Sequence, residues 1–508
     1  MPKKKLKQWL ASAFAACLLL SSFGALPAFA ESTAKGLVRG AAQEIYSGET
    51  LLSKKEFDTA AQAWSSATAA ANDTSETVIT LYEDWTEDEM LTVAKGQHLT
   101  LDLNGHTLKR NRNHDMKADG CVIRVQDSAV FTLRDSNPKS RGYDGVKGGV
   151  ITGGASSNTA GGVHIDENGA FIMEGGTIYD CITDADGGAV CVDGGSENTS
   201  FTMTGGRLYS CKTMESADEC CGGAVYLNNG NVTISGATID DCYSEDDGGA
   251  IYSERGKITM KNVVFSGNRC LEKGGAIAVA LDSSVFQGTL LNAYDCTFAG
   301  NRADEDGGAV IVSDNPKDNG AVVFYNCKFR NNEAAKNGGA IYINDDNVAL
   351  SGCSVTANRA AGSGGGIFVD CRYNLTLMGL MTVKDNTAGK GDSVANLTLE
   401  SGATGTAYII DGGIYKNSSV HIGTTSKKSI LLSEWMSQYQ MQYFVADEGT
   451  LDKKEERFVD ASMVVTASIF SEGSITVIAI FGAVGLAAAA ILIIRKKKNK
   501  KAGDEYDA

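Results

Sequence analysis

The stretch that decides the fold is residues 329–343, which read FRNNEAAKNGGAIYI. Its Gly-Gly pair, followed by a small residue and then by Ile or Val, returns along the chain, and the interval from Gly222 to Gly248 is 26 residues. Longer intervals between copies are typical of one repeated unit with loop insertions. The first glycines of the clear copies are Gly187, Gly222, Gly248, Gly274, Gly307, Gly338 and Gly364, and a weaker copy begins at Gly161.

Apolar and polar positions recur in columns relative to each Gly-Gly pair. Within one unit the apolar residues alternate, as Ile341 and Ile343 do, and a period of two indicates strands, whereas helical spacing is lacking. The apolar column three residues after the first glycine holds Val190, Val225, Ile251, Ile277, Val310, Ile341 and Ile367. The apolar column nine residues before it holds Ile178, Ile239, Phe265, Phe298, Phe329 and Val355, and the polar column six before it holds Cys181, Cys242, Asn268, Asn301, Asn332 and Asn358. Leu208 and Cys211 fit the same columns if the extra residues of their unit lie between Lys212 and Cys221.

These columns predict an all-β fold, a right-handed parallel β-helix whose coils of about 26 residues each hold three short strands. Parallel coils stack about 4.8 Å apart, so each column brings like residues together. We expect the inward Asn column to form a hydrogen-bonded ladder. The first glycine of each pair is expected to take a positive φ at a corner.

The two ends of the chain differ in composition from the repeat. Residues 1–30 combine four lysines, an apolar run and Ala28-Phe29-Ala30, a pattern typical of a secretory signal peptide. Residues 474–494 are apolar and precede six basic residues, so we predict one transmembrane helix with an extracellular N-terminal domain and a cytoplasmic tail. The predicted parts are a signal peptide (1–30), an N-terminal helical cap or linker (31–77, helical over 44–72), the β-helix (78–423), a C-terminal cap and juxtamembrane segment (424–473), the transmembrane helix (474–494) and the tail (495–508).

Charge excludes one class of partner. The two ends hold 10 of the 46 basic and 3 of the 62 acidic residues, which leaves 36 − 59 = −23 for the region between them. A field of this sign repels nucleic acid, so we predict no nucleic-acid partner.

The motifs around Phe265-Ser266-Gly267-Asn268 and Phe298-Ala299-Gly300-Asn301, each followed by Gly-Gly-Ala-Ile/Val, resemble the repeats of the polymorphic outer-membrane proteins of chlamydiae. Residues 99–108 (LTLDLNGHTL) are similar to many β-helical surface proteins of the pectin-lyase-like fold. The resemblance covers roughly residues 78–420 and implies adhesion or contact with a host surface. The C-terminal helix and basic tail are instead typical of a Gram-positive bacterium, in which the protein would sit in the plasma membrane and face the cell surface.

Acidic turns before the Gly-Gly pairs are the candidates for chemistry. Their carboxylates lie at one edge of the coil, where they would either bind calcium or form solvated turns, and we favour solvated turns. The five scattered histidines show no metal-ligand spacing. The basic stretch 109–114 would either contact an acidic glycan or form a solvated loop, and we favour the solvated loop. The acidic residues are Asp184, Asp186, Glu245, Asp246, Asp247, Asp304, Glu305 and Asp306, and the histidines are His98, His106, His114, His164 and His421.

Six cysteines form two further columns, Cys181-Cys211-Cys242 and Cys296-Cys327-Cys353. Neighbouring coils bring such residues within the reach of a disulfide, and a buried ladder of thiols is the alternative. The sequence leaves this choice open.

The sequence favours a cell-surface adhesin or interaction protein that is not an enzyme, uses no cofactor and binds an unidentified surface glycan or a host or partner-cell protein. The alternatives are a membrane-tethered polysaccharide lyase or glycoside hydrolase, and a structural spacer. No catalytic residue is assigned, and metal binding is left open. Loops carry recognition, so we expect contacts at the insertions 192–198, 212–220, 281–290 and 313–320.

Overall fold

The computed structural model describes the chain from residue 40 to residue 459 with gaps. The described ranges are 40–70, 75–112, 114–214, 220–280, 290–313, 321–344, 348–370, 375–400, 408–424, 430–432, 442–447, 450–452 and 457–459. The predicted signal peptide, transmembrane helix and basic tail lie outside these ranges. Within them, no helix is both long enough and apolar enough to cross a bilayer.

Parallel strands stack coil upon coil, so the predicted β-helix is confirmed over the described residues. The first stack, which follows the Gly-Gly pairs, contains Leu91–Val93, Ile123–Val125, Val163–Ile165, Val190–Asp193, Val225–Ser235, Ile251–Lys261, Ile277–Ala280, Val310–Ser313, Ile341–Ile343, Ile367–Val369 and Leu397–Leu399. The second contains Glu76–Leu81, His98–Asp102, Val130–Arg134, Ala170–Met173, Ser200–Met203, Leu290–Tyr294, Ala321–Tyr325, Val348–Ser351, Leu375–Gly379, Tyr408–Ile414 and Ile430–Leu432, and the strands Val225–Ser235 and Ile251–Lys261 continue into it. The third contains Trp85–Glu87, Thr107–Arg110, Val150–Thr152, Thr177–Tyr179, Arg207–Tyr209, Thr238–Asp240, Val264–Ser266, Thr297–Ala299, Lys328–Arg330, Ser354–Thr356, Thr382–Lys384 and Ser419–Thr424.

A fourth strand of two residues belongs to most coils, so the predicted number of three strands per coil was too low. These strands form a separate ten-stranded sheet. Two residues are too few to show an alternating pattern, and for this reason the sequence did not reveal them. They are Ala155–Ser156, Ile182–Thr183, Lys212–Thr213, Tyr243–Ser244, Arg269–Cys270, Arg302–Ala303, Glu333–Ala334, Arg359–Ala360, Thr387–Ala388 and Ser393–Val394.

The register between coils follows the predicted apolar columns. Phe265 pairs with Phe298, which in turn pairs with Phe329. Their rings stack at centroid distances of 4.9 and 4.7 Å, and all three side chains are fully buried. Burying a Phe side chain contributes roughly 1.5–3 kcal/mol, so these repeated columns form the core that stabilises the rod.

The Asn ladder is confirmed and is longer than predicted. Each Asn side chain donates through Nδ2 to Oδ1 of the Asn in the following coil, and the Asn side chains are at most 1% exposed. The bonds join Asn268 to Asn301 (3.0 Å), Asn301 to Asn332 (3.0 Å), Asn332 to Asn358 (2.9 Å), Asn358 to Asn386 (2.8 Å) and Asn386 to Asn396 (3.0 Å).

The N-terminal cap differs from the predicted helix over 44–72. Within the described residues 40–70, only Ala60–Ala70 is helical (α1), and the preceding residues form an antiparallel hairpin of Ala41–Ser47 and Thr50–Phe57. Gly48 has a φ of +56°, so the Ser-Gly dipeptide makes the turn that ends the first hairpin strand. Ala41–Ser47 also pairs antiparallel with Glu76–Leu81, and the hairpin thereby covers the first coil.

Three short strands close the other end of the described chain. Phe444–Ala446 pairs in parallel with Ser419–Thr424, and Arg457–Val459 pairs antiparallel with Thr450–Asp452 and with Ile430–Leu432. An antiparallel pair interrupts the stacking of parallel coils. These strands fall within the predicted C-terminal cap.

Candidate functional site

One column of side chains in the first stack points away from the core and is nevertheless mostly buried. Each member lies between two inward residues of its strand, as Cys191 lies between Val190 and Val192. We call this line the recessed column. In register it contains Arg124, His164, Cys191, Tyr226, Tyr252, Ala278, Ile311, Tyr342, Phe368 and Thr398.

The Gly-Gly turns explain why the column is recessed. Gly187 has a φ of +73°, and a Cβ there would lie 2.3 Å from the carbonyl oxygen of Val190. A Cβ at Gly364 would lie 2.7 Å from Cβ of Phe368. Each turn therefore packs against the strand that follows it, which only glycine permits. The predicted positive φ is confirmed for the first glycine of the pair.

Tyr226 and Tyr252 form the aromatic centre of the column. Their rings are parallel, with an interplanar angle of 0° and a centroid distance of 5.7 Å. Both side chains are partly exposed, and Tyr226 Oη donates to Glu254 Oε2 at 3.0 Å. The strands that carry them, Val225–Ser235 and Ile251–Lys261, pass into the second stack without an inserted loop.

The acidic turns form one side of this centre. Asp186 Oδ1 accepts the backbone N–H of Cys221 at 2.8 Å, and Asp247 Oδ1 accepts that of Lys273 at 2.9 Å. Burial, assisted by the neighbouring carboxylates of Glu254 and Asp193, raises the pKa of Asp186 to about 7. Burial likewise raises the pKa of Asp247 to about 6.

The opposite side is formed at the corner between the first and second stacks. Asp193 Oδ1 accepts from Asn228 Nδ2 at 3.4 Å, and Arg255 Nε donates to Asn228 Oδ1 at 3.0 Å. Burial, followed by the charges of Asp186 and Glu254, raises the pKa of Tyr226. Carboxylates on both sides of the ring therefore raise the pKa of the same phenol hydroxyl.

The remaining acidic residues hold neighbouring coils together. Asp304 pairs with Arg269 and Arg302, Glu305 pairs with Lys336, and Asp306 accepts the backbone N–H of Asn337 at 2.7 Å. The predicted solvated turn is therefore wrong for the last residue of each turn, because Asp186, Asp247 and Asp306 each accept a backbone amide of the next coil. The residues Asp184, Glu245 and Asp246 are half-buried in the same turns.

The histidines lie apart from one another, and four of them face an aspartate. His106 lies 3.5 Å from Asp84, His114 3.1 Å from Asp180, His164 3.4 Å from Asp166 and His421 3.9 Å from Asp447. His98 lies in the second stack. Among the residues that the structure describes, no group of three or more His, Cys, Asp or Glu side chains is arranged to hold a metal ion.

Among the described residues of the basic stretch 109–114, the basic side chains have different neighbours. Arg110 is fully buried and donates to the carbonyl oxygen of Asp119 at 3.1 Å. Lys109 lies over the ring of Tyr143, and Arg112 donates to the carbonyl oxygen of Asp88. An acidic glycan would therefore meet no surface shared by Lys109, Arg110 and Arg112.

The cysteines of the two columns are buried free thiols. Cys211 Sγ lies 3.6 Å from the carbonyl oxygen of Ile178, and Cys242 Sγ lies 3.8 Å from that of Leu208. At the next position of this column, Asn268 Nδ2 likewise donates to the carbonyl oxygen of Ile239 in the preceding coil. The thiols of the column Cys181-Cys211-Cys242 thus take the donor position of the Asn ladder. Both columns hold free thiols in the structure, the second of the two alternatives that the sequence left open.

Of the predicted contact loops, only part lies within the described residues. In the insertion 192–198, Ser196 Oγ donates to Asn168 Oδ1 at 2.8 Å. Residues 215–219, 281–289 and 314–320 lie outside the described ranges.

Sequence reasoning missed the recessed column and the end of the Asn ladder. Tyr226, Tyr252, Tyr342 and Phe368 all stand four residues after the first glycine of a Gly-Gly pair, so an aromatic column was present in the sequence. The sequence did not show that this column is recessed, because the recess depends on the Gly-Gly turn that packs beside each strand.

Two segments match a known repeat. Residues 262–280 and 326–344 match the Chlamydia polymorphic membrane protein (Chlamydia_PMP) repeat. Together with the solenoid of parallel coils, the match confirms the predicted resemblance to this type of β-helical surface protein. Neither the curated proteins nor the solved structures contain a match to the chain.

Proposed function

We propose that this protein is a cell-surface adhesin that binds a glycan along the recessed column and does not act as an enzyme. The solenoid and the two matching repeat segments support a location at the cell surface. We further propose export by the signal peptide 1–30 and anchoring in the plasma membrane of a Gram-positive bacterium by residues 474–494.

The stacked pair of Tyr226 and Tyr252 is the observation on which this proposal depends. Partly exposed aromatic rings in a recess provide flat apolar surfaces, and polar groups around them set orientation and specificity. The apolar face of a pyranose ring stacks on such a surface, while carboxylates accept hydrogen bonds from its hydroxyls. The centroids of the two rings are 5.7 Å apart, close to the length of one sugar unit.

Binding is favoured over hydrolysis or elimination because the carboxylates beside the column already have structural partners. Asp186 and Asp247 accept backbone amides of adjacent coils, and Glu254 accepts from Tyr226. A general acid or base must instead reach the reacting bond of the substrate.

The test is a screen of the purified full-length chain against a glycan array, with reducing ends and unsaturated sugars measured in the same wells. We expect saturable binding without product release, and weaker binding by Tyr252→Ala. Tyr325→Ala is the matched control, since Tyr325 is an exposed tyrosine of the second stack. Release of fragments with turnover, or equal binding by Tyr252→Ala and the parent chain, would contradict the proposal, as would binding of protein ligands alone.

A further inference from the structure

Four carboxylates surround the aromatic pair of the recessed column. Asp186 and Asp247 lie on the side of the turns, and Asp193 and Glu254 lie toward the second stack. Burial, the neighbouring Cys221 thiol and the carboxylates of Asp247, Glu254 and Asp186 all raise the pKa of Tyr252. Since Glu254 Oε2 also accepts from Tyr226 Oη at 3.0 Å, carboxylates lie beside both rings.

The position before Gly-Gly does not require a carboxylate for folding. Asn337 occupies this position in another coil, where its Oδ1 accepts the backbone N–H of Ser363 at 2.9 Å. The geometry is the same as that of Asp186 with Cys221. An amide performs the structural task without a buried charge, so the acids beside the aromatic pair stand where a neutral side chain would suffice.

One polar atom of the column, on the ring of His164, lacks a hydrogen-bond partner. His164 lies two coils before Tyr226 in register, and its side chain is 8% exposed. Its Nε2 lies 3.4 Å from Asp166 Oδ1, whereas Nδ1 is buried without a hydrogen-bond partner. With the proton on Nε2, Nδ1 is an acceptor, and a donor from a ligand would satisfy it.

Given the proposed function, we infer that the ligand is cationic: a β-linked polymer of amino sugars whose amino groups are free. Ammonium groups match the four carboxylates, and cations are also attracted to the faces of Tyr226 and Tyr252. The repeat of the column favours a sugar polymer over a basic peptide, because an extended peptide advances about 3.3 Å per residue and the coils advance about 4.8 Å.

The experiment measures binding of the full-length chain to polyglucosamine and to the same polymer after N-acetylation. Glu254→Gln keeps the shape of the side chain and removes its charge, and Glu333→Gln is the matched control. Glu333 pairs with Arg302 and Arg359 in the separate ten-stranded sheet, away from the column. We expect Glu254→Gln to weaken polyglucosamine binding at least about tenfold, since hydrogen bonds to charged groups contribute about 1.5–3 kcal/mol. Glu333→Gln should bind like the parent chain.

The outcomes separate this inference from the proposed function. Equal binding of the N-acetylated polymer, together with weaker binding by Tyr252→Ala, would overturn the cationic ligand and leave a glycan adhesin. Equal weakening by Glu254→Gln and Glu333→Gln would show attraction by net charge alone and would also overturn it, as would equally tight binding of polylysine. The proposed function itself fails if no polysaccharide binds.

Discussion

Asn396 donates through Nδ2 to Asp447 Oδ1 at 2.6 Å and through its backbone N–H to Asp447 Oδ2 at 2.8 Å. The ladder of asparagines therefore ends on a carboxylate. Asn396 follows Asn386 by only ten residues, because Thr387–Ala388 and Ser393–Val394 pair antiparallel and return the chain to the same corner. Asp447 takes the place of the next Asn and accepts both donors.

Removing the Asp447 carboxylate should destabilise the C-terminal coils. In Asp447→Ala, two buried donors of Asn396 lose their acceptor, and each such loss costs about 1–3 kcal/mol. The measurement is hydrogen exchange of the backbone amides of Asn386 and Asn396, which we expect to become faster. Glu400→Ala, which removes an exposed carboxylate, is the control and should leave exchange unchanged. Equal protection in Asp447→Ala and the parent chain would show that the ladder does not need this end.

Substitutions at Gly307 and Gly300 distinguish the cost of a left-handed backbone from the cost of a steric clash with the added Cβ. Both have a φ of +69°, but only at Gly307 would a Cβ meet another atom, the carbonyl oxygen of Val310 at 2.5 Å. Gly300→Ala should cost roughly 1–2 kcal/mol from the left-handed backbone alone. Gly307→Ala should lower the thermal unfolding temperature further, and equal shifts would mean that the close packing of the turn is unimportant.

Acidification should stabilise the protein through Asp186. Its pKa rises from 3.8 to about 7 on folding, so between these values the folded state holds a proton that the unfolded state has released. Stability therefore falls as pH rises from about 4 to about 7. Asp247, whose pKa rises to about 6, contributes in the same direction.

Asp186→Asn tests this pH dependence directly. The variant should be more stable than the parent at pH 7.5, and the difference should vanish near pH 4, where the carboxyl is protonated in both states. Thermal unfolding across this range is the measurement, with Asp385→Asn at an exposed carboxyl as the control. Lower stability of Asp186→Asn at pH 7.5 would mean that the charge itself supports the fold.

The thiols of the cysteine columns should not react while the protein is folded. Hydrogen bonding with Cys327, together with burial, raises the pKa of Cys296, and the thiolate is the reactive form. Peptide mass spectrometry after iodoacetamide treatment should find the cysteines of both columns unmodified in the native protein. The denatured protein should be alkylated at all six positions. A disulfide between Cys296 and Cys327 would contradict this prediction.

The sequence predicted strand register and side-chain contacts correctly where the same kind of residue recurs at one position of every coil. The pairing of Phe298 with Phe329 and the bond between Asn301 and Asn332 followed from column positions, because parallel coils repeat the same environment. The hairpin of Ala41–Phe57 was misread, since its alternation is weak and the turn at Gly48 was overlooked.

The sequence by itself determined the coil length, the inward columns and the alternation that builds a parallel β-helix, because these depend on contacts that recur at every coil. Only the tertiary structure showed that the turn carrying Asp186 packs beside the strand of Tyr226, and that Asp447 completes the ladder 51 residues after Asn396. Such contacts depend on the path of the chain at corners and ends, where a side chain's neighbours are distant in sequence and no repeated pattern specifies them.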